Sequence, residues 1–226
     1  MDDTAFNVVK VAAPLRRQVV DGIRRAITTG RFRGNDRLIE RDLCEMAGVS
    51  RTLIREALRQ LEAEGLVKVI PNKGPIVAVV SAQEARNVYQ VRAELEGLAS
   101  QLFAENASAA QIAGLRKSFR ELKAAYASGN ATDVLEAKDV FYDRLVEGAG
   151  NEVLGNLLRQ LHSRAMMLAA TSLSQKGRMA LSEMEMEKLV AAILRRDGKA
   201  ARTAAAAHVK RAAEVALSLL EAEETA

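Results

Sequence analysis

Three arginines, Arg51, Arg55 and Arg59, follow Ser50 at intervals of four residues. In a helix capped by Ser50 this spacing places all three on one face, and the apolar residues of the segment fall on another face. An exposed arginine can donate two parallel hydrogen bonds to a guanine base, and the first turns of such a helix enter the major groove first. The pattern is typical of a DNA-reading helix, although a solvated basic face on a surface helix gives the same spacing.

Two further residues with potential chemistry, Lys138 and His208, lie within otherwise apolar stripes of predicted helices. An unpaired ammonium in an apolar core costs several kcal/mol, so a carboxylate, a solvated cavity or a bound anion should lie near Lys138. The alternative is that Lys138 extends to solvent and His208 is an ordinary core histidine with a satisfied ring. The occurrence of both residues on inward stripes favours a cavity.

The segments around the three arginines predict the rest of a DNA-binding domain. Apolar residues at every fourth position indicate a first helix, and two β-branched runs with a turn between them indicate a hairpin with a basic tip. The order of helix, helix, helix and hairpin is that of a winged helix-turn-helix. The expected elements are a helix from Pro14 to Gly30, a short strand Arg37–Ile39, a helix from Glu40 to Ala47, and strands Leu66–Ile70 and Ile76–Val80.

After Ser81 helix patterns dominate to the end of the chain. Three segments match the capping box, in which a serine and a Glu or Gln three residues later satisfy the first amides of a helix; they begin at Ser81, Ser108 and Ser182. Apolar stripes such as Val88, Val91, Leu95, Leu98 and Leu102 are typical of bundle helices. Later helices are expected over about 131–148, 151–171, 182–196 and 199–222. The predicted fold is mainly α, with a winged helix-turn-helix over 10–80 and an all-α antiparallel bundle over 81–226.

The charge is distributed unevenly along the chain. Residues 1–80 hold 14 Lys and Arg against 10 Asp and Glu, whereas residues 81–226 hold 19 of each. A basic first part suggests a polyanionic partner. The single cysteine, Cys44, excludes an intramolecular disulfide and a multi-cysteine metal cluster and is expected to be a small buried hydrophobe. The acidic start and the lack of an apolar run near ~20 residues predict a cytoplasmic protein without a signal peptide or contact with a membrane.

The residues now described resemble a known family. Gly48-Val49-Ser50-Arg51-Thr52-Leu53-Ile54-Arg55-Glu56-Ala57-Leu58-Arg59-Gln60-Leu61-Glu62-Ala63-Glu64-Gly65-Leu66-Val67 is similar to the signature of GntR-family repressors, with Leu53 where the family usually has proline. In the second half, segments 91–96, 141–145 and 150–151 resemble the FCD ligand domain of the FadR subgroup. The resemblance spans about residues 14–215.

This resemblance implies a homodimer that binds a palindromic double-stranded DNA operator through two recognition helices. It implies repression that is relieved by a ligand as the usual pattern, and it implies no catalytic activity. The residues implied in DNA binding are Arg41, the helix start at Ser50, Arg51, Thr52 and Arg55, and, in the minor groove, the wing tip Asn72, Lys73 and Gly74.

Many FCD domains bind a divalent metal through one aspartate and three histidines. The resemblance places these positions on Lys138, Tyr142, Met186 and His208, so three of four ligands are missing and no metal cofactor is expected. A rival ligand set of Asp139, Asp143 and His208 is unfavourable, because the two aspartates lie on a face turned by ~100° from Lys138.

The missing metal leads to a hypothesis about the effector. Lys138 puts a positive charge where the metal would lie, so a small carboxylate could bind there with Arg92 as second cation and Tyr142 as hydrogen-bond donor, next to Met186 and His208.

Two other classes of protein remain open. An enzyme could use Lys138, Tyr142 and His208 as acid and base groups, but no nucleophile motif accompanies them. A ligand-blind architectural DNA-binding protein would show only salt-dependent DNA affinity and no response to metabolites.

Overall fold

The computed structural model describes residues 13–225. These divide into two compact units, one up to Val79 and the other from Val80 onward. No helix in the described part of the chain combines the length and apolar character needed to cross a membrane.

The N-terminal unit is a winged helix-turn-helix, as predicted. It consists of α1 (Ala13–Thr28), α2 (Glu40–Ala47), α3 (Arg51–Ala63), β1 (Val67–Ile70) and β2 (Gly74–Val77). The core is made of apolar residues on one face of each helix, because these faces bury aliphatic side chains against each other. Its most deeply buried members are Val20, Leu38, Ile54, Ala57, Leu61, Leu66 and Val77.

The wing differs from its predicted bounds. Strands β1 and β2 pair antiparallel from Val67 opposite Val77 to Ile70 opposite Gly74, so the loop shrinks to three residues. The predicted strand at Arg37–Ile39 is reduced to an isolated bridge between Arg37 and Ile76. Three backbone hydrogen bonds hold residues 35–38 against β2, from Leu38 N to Pro75 O at 2.9 Å, from Val77 N to Asp36 O at 2.9 Å and from Asn35 N to Val77 O at 3.0 Å. Val67, the first residue of β1, lies opposite Val77, so the paired part of β2 ends at Val77 rather than at Val80.

The C-terminal unit is the predicted all-α bundle. It contains α4 (Ala82–Asn106), α5 (Ala109–Ser128), α6 (Ala131–Ala149), α7 (Glu152–Ser174), α8 (Arg178–Leu194) and α9 (Gly198–Glu224). The core includes fully buried aliphatic and aromatic side chains, among them Phe103, Leu115, Leu122, Phe141, Leu145, Met186 and Leu189. Helices α4 and α9 pack closely at Gly97, where an added Cβ would lie 3.3 Å from the backbone oxygen of Arg202.

Two of the three predicted capping serines begin helices. Ser81 accepts a hydrogen bond from the Glu84 amide, and Ser108 forms the complete capping box with Gln111. The prediction for Ser182 is wrong, because α8 begins four residues earlier, after Gly177 in the left-handed conformation (φ +81°). Ser182 is instead buried inside α8, where its hydroxyl lies 2.6 Å from the Tyr126 hydroxyl of α5. A partner on another helix has replaced the expected partner on its own backbone.

The buried face of α4 also differs from the predicted stripe. Val91 is 49% exposed, whereas Arg92 and Glu96 are buried at 8% and 5% exposure. The Arg92 Nε donates to Glu96 Oε1 at 2.8 Å, which allows the two charges to enter the bundle together. Cys44 is half-buried rather than buried.

Candidate functional site

The first candidate site is the exposed side of α3. Its apolar face is buried through Leu53, Ile54, Ala57, Leu58 and Leu61. Arg51, Thr52, Arg55 and Arg59 are all exposed, and the Ser50 hydroxyl accepts from the Leu53 amide at 3.4 Å. The helix is therefore anchored by one face and presents long cationic donors on another. Their contacts with DNA remain a prediction.

The guanidinium of Arg55 is held by a residue that the sequence reasoning missed. Its Nε donates to both carboxylate oxygens of Glu40, the first residue of α2, at 2.8 and 2.9 Å. The two Nη groups make no hydrogen bond to any described residue, so they form an open fork. A fork of this kind matches the paired acceptors of guanine.

The remaining predicted DNA contacts lie on α2 and the wing. The Arg41 side chain is 72% exposed, and its Nε lies 3.2 Å from the adjacent Asp42 carboxylate. Asn72 and Lys73 are exposed at the wing tip, and Gly74 is half-buried at the start of β2. The Arg37 Nη2 donates to the Lys73 backbone oxygen at 2.8 Å, which fixes the tip against the body of the unit.

We expect Glu40→Gln to lower the preference for operator over scrambled DNA by roughly tenfold, since one bidentate base contact contributes about 1–3 kcal/mol of discrimination. The weaker acceptor would leave the Arg55 fork less well oriented. Fluorescence anisotropy with both duplexes measures the ratio, on an operator selected from a random duplex library by the wild-type protein. Glu45→Gln, at an exposed carboxylate of α2, is the control, whereas Glu40 itself is half-buried. An equal loss in both variants would show that only the charge matters.

The second candidate site is a buried polar cluster that joins α6, α8 and α9. The Lys138 Nζ lies 3.2 Å from His208 Nε2, and the other ring nitrogen of His208 lies 2.6 Å from Glu185 Oε2. The same carboxylate oxygen accepts from Arg178 Nη2 at 2.8 Å. Lys138 is only 6% exposed and His208 3%, so the alternative of a lysine that extends to solvent is wrong. The carboxylate expected beside Lys138 is not in direct contact with it among the described residues, because Glu185 binds the far nitrogen of the His208 ring.

The protonation states within this cluster follow from burial and from its charges. Burial and the Lys138 charge lower the pKa of His208 to about 4. The imidazole is therefore neutral near pH 7, so its Nδ1–H donates to Glu185 and its Nε2 accepts from Lys138. Burial alone would raise the pKa of Glu185, but hydrogen bonds from His208 and Arg178 outweigh it and lower that pKa. Burial, together with the charges of Arg178 and Arg92, lowers the pKa of Lys138 to about 7.

The other predicted effector residues, Arg92, Tyr142 and Met186, lie on α4, α6 and α8. The Arg92 guanidinium lies 5.4 Å from the centre of the Tyr89 ring and is paired with Glu96. Burial and the negative charge of Glu96 raise the pKa of Tyr142 well above its ordinary value, so its phenol remains a hydrogen-bond donor. Met186 is fully buried in the apolar core.

The sequence reasoning missed Arg178, Glu185 and Glu96. Among the described residues, three basic side chains (Arg92, Lys138, Arg178) and two carboxylates (Glu96, Glu185) are buried. The Nε and Nη1 of Arg178 and the Oε2 of Glu96 are buried without a hydrogen-bond partner. Each buried polar atom without a hydrogen-bond partner costs about 1–3 kcal/mol. The burial of Arg178 could have been predicted only from its position on the inward face of α8, but that helix was expected to begin after Arg178.

The side chains at the aligned metal positions do not fit a divalent cation. Among the described residues, no group of three or more His, Cys, Asp or Glu could hold a metal ion. The Lys138 ammonium lies against the Nε2 of His208, and the Nδ1 of His208 is engaged with Glu185. A metal needs several deprotonated donors, whereas this arrangement offers one imidazole next to an ammonium. Asp143, from the rival set, is exposed.

Comparison with known proteins gives two family matches. Residues 15–77 match the bacterial regulatory proteins of the gntR family, and residues 87–211 match the FCD domain. The HTH-type transcriptional regulator YdhC of Bacillus subtilis (strain 168) is 31% identical over 163 residues, which is 72% of this chain and 71% of YdhC. The Nta operon transcriptional regulator of Aminobacter aminovorans is 35% identical over 135 residues, 59% of this chain and 63% of that protein.

Solved structures support the fold. The structure of McbR/YncC from E. coli superimposes with a TM-score of 0.79 at 22% identity and covers 93% of this chain and 98% of its own. A GntR regulator from Rhodococcus sp. RHA1 gives a TM-score of 0.76 at 22% identity and covers 91% and 99%.

Proposed function

Because the chain belongs to the GntR family of bacterial transcriptional regulators and carries an FCD domain, we propose that it is a repressor whose operator affinity is changed by a small carboxylate. The observation that carries this proposal is the pair of buried Arg178 donors, Nε and Nη1, that have no hydrogen-bond partner among the described residues. They belong to the same buried cluster as Lys138, which is partly protonated near pH 7. In this proposal the effector binds in the C-terminal unit without a metal.

The DNA half of the proposal rests on the exposed face of α3. Two copies of the chain present two such helices to a palindromic operator, with Arg41, Arg51, Thr52 and Arg55 in the major groove. The wing tip, Asn72, Lys73 and Gly74, contacts the minor groove and phosphates. The modest basic excess of residues 1–80 supplies the salt-dependent part of the affinity.

The effector half rests on the chemistry of the buried cluster. A carboxylate next to Arg178 would accept from the free Nε or from the free Nη1, which lie on opposite sides of the occupied Nη2, and would satisfy a buried donor. It would also offset the charge of Lys138 where that group is protonated. Lys138 and Arg92 supply further positive charge, Tyr142 a phenol donor, and Met186 an apolar wall. We assign binding rather than catalysis to Lys138, Tyr142 and His208.

A thermal-shift panel of small mono- and dicarboxylic acids, with and without EDTA, tests this proposal. An acid at 100 times its Kd should stabilise the protein by about 2.7 kcal/mol, which raises Tm by several degrees. We expect this shift to persist in EDTA and the same acid to change operator affinity. A shift that EDTA removes would contradict the metal-free site, and a panel without any shift or change in operator affinity would contradict the effector class.

A further inference from the structure

A groove of about 610 Å³ runs between α8 and α9 on the surface of the C-terminal unit. Its floor is made of small side chains, Ala192 from α8 with Ala204 and Ala207 from α9. Larger residues there would fill the space between the two helices. The volume lies within the range of about 300–1,000 Å³ that small-molecule sites occupy.

The rim of this groove is strongly basic. Lys188 of α8 and Arg195, the residue that caps the end of α8, line it on one side, and Lys199 and Arg211 line it from α9. All four side chains are exposed, and the first three make no ion pair with any described residue. Arg211 has one weak partner, Glu185, at 3.6 Å. The groove thus holds cations that the fold itself does not neutralise.

The cations are spread along the groove rather than gathered at one point. Lys199 and Arg211 are twelve residues apart on α9, which corresponds to about 18 Å at 1.5 Å per residue. Arg195, at the C-terminal cap of α8, follows Lys188 by seven residues, about 10 Å along the helix axis. The two acidic residues at the groove are already engaged: Asp197 caps α9 through the Ala200 amide, and Glu185 accepts from Arg178 and His208. The spacing suits a ligand with more than one anionic group.

We propose that the α8–α9 groove binds a small metabolite that carries two separated phosphate groups. Phosphate groups carry nearly two charges each, which the unpaired cations can balance, and lysine serves phosphate as a mobile point charge in an open, solvated site. The buried cluster differs in both respects, since it is enclosed and presents a planar guanidinium. Glu185 lies at both the groove and the buried cluster, but this proposal does not depend on the carboxylate site proposed above.

Isothermal titration of the full-length protein with fructose 1,6-bisphosphate and with inorganic pyrophosphate, at constant ionic strength, tests this proposal. We expect the bisphosphate to bind, and the double variant Lys188→Gln with Lys199→Gln to weaken it at least tenfold. The matched control is Lys117→Gln with Lys210→Gln, which removes the same charge from exposed positions outside the groove. Both pairs lie on helix surfaces and should leave Tm unchanged.

Two further variants separate the possible outcomes. The exposed side of α3 also carries cations and could bind the anion instead. If the groove is the site, Arg51→Ala with Arg55→Ala should retain bisphosphate binding. If that variant loses binding while the groove variant keeps it, the anion binds the exposed side of α3 and the proposal is wrong. Equal affinity in wild type, groove variant and control would reduce the effect to general charge screening and also overturn it. Lys138→Met should bind the bisphosphate normally even if no carboxylate effector exists.

Discussion

Replacing Arg51 and Arg55 together with alanine is expected to abolish specific operator binding while the protein remains folded. Each arginine that reads a guanine contributes about 1–3 kcal/mol, so the specific affinity should fall by about thirtyfold or more. Both side chains are exposed, and the pair between Arg55 and Glu40 is a surface ion pair of little consequence for stability. Anisotropy titrations against operator and scrambled duplex, with thermal melts of the same samples, measure both effects.

The control for this prediction separates base reading from general attraction to DNA. Arg16→Ala with Arg17→Ala removes two exposed arginines of α1 and therefore the same charge. That variant should bind both duplexes somewhat less tightly and show a smaller salt dependence, with its preference for the operator intact. An Arg51 and Arg55 double variant that still prefers the operator would remove the basis for assigning α3 as the reading helix.

Replacing Lys138 with methionine is expected to remove the response to carboxylates and to change how stability depends on pH. Burial and the nearby charges of Arg178 and Arg92, opposed by Glu96 and Glu185, lower the pKa of Lys138 to about 7, whereas the unfolded chain keeps an ordinary lysine. Between about pH 7 and 10 the unfolded state binds a proton that the folded state has released, so this group makes wild-type stability rise with pH. The variant lacks that rise, and its free energy of unfolding relative to wild type should be most favourable at pH 7 and below.

The size of the change depends on two opposing effects. Methionine avoids burial of an ammonium, and such replacements are commonly neutral or stabilise by about 1–4 kcal/mol. Among the described residues, Lys138 is the only donor to the Nε2 of His208, and its loss costs about 1–3 kcal/mol. Urea melts from pH 6 to 9 therefore test the pH profile rather than one value. Lys117→Met, at an exposed position, should follow wild type. A profile of Lys138→Met that parallels wild type, with full carboxylate affinity, would contradict both expectations.

Helix α3 could be predicted from the sequence alone, because two independent patterns agree there. The apolar residues of α3 repeat at helical spacing, and Ser50 supplies the cap at the expected position. The bundle helices were also predictable from their stripes and from the caps at Ser81 and Ser108. These features depend on neighbours within a few residues, which a single sequence displays directly.

The centre of the buried cluster was only partly predictable, since its partners come from distant segments. Lys138 and His208 stood out because they interrupt apolar stripes. Arg178 and Glu185 did not, because a charge that is buried with a partner has the same local pattern as a charge in water. Ser182 was misassigned for the same reason, as its partner Tyr126 lies 56 residues away in sequence. The pairing of Arg92 with Glu96 at i, i+4 resembles an ordinary surface ion pair.

The carboxylate of Glu185 lies between the buried cluster and the α8–α9 groove. One of its oxygens receives Arg178 and His208 inside the bundle, and the other lies 3.6 Å from Arg211 at the rim of the groove. Three basic side chains therefore share the single negative charge of Glu185. A shorter distance from one of them to the carboxylate weakens the attraction between the carboxylate and the other two. A displacement of Arg211 on the outside would alter the field at the imidazole inside, and by reciprocity a change inside would alter how readily Arg211 leaves.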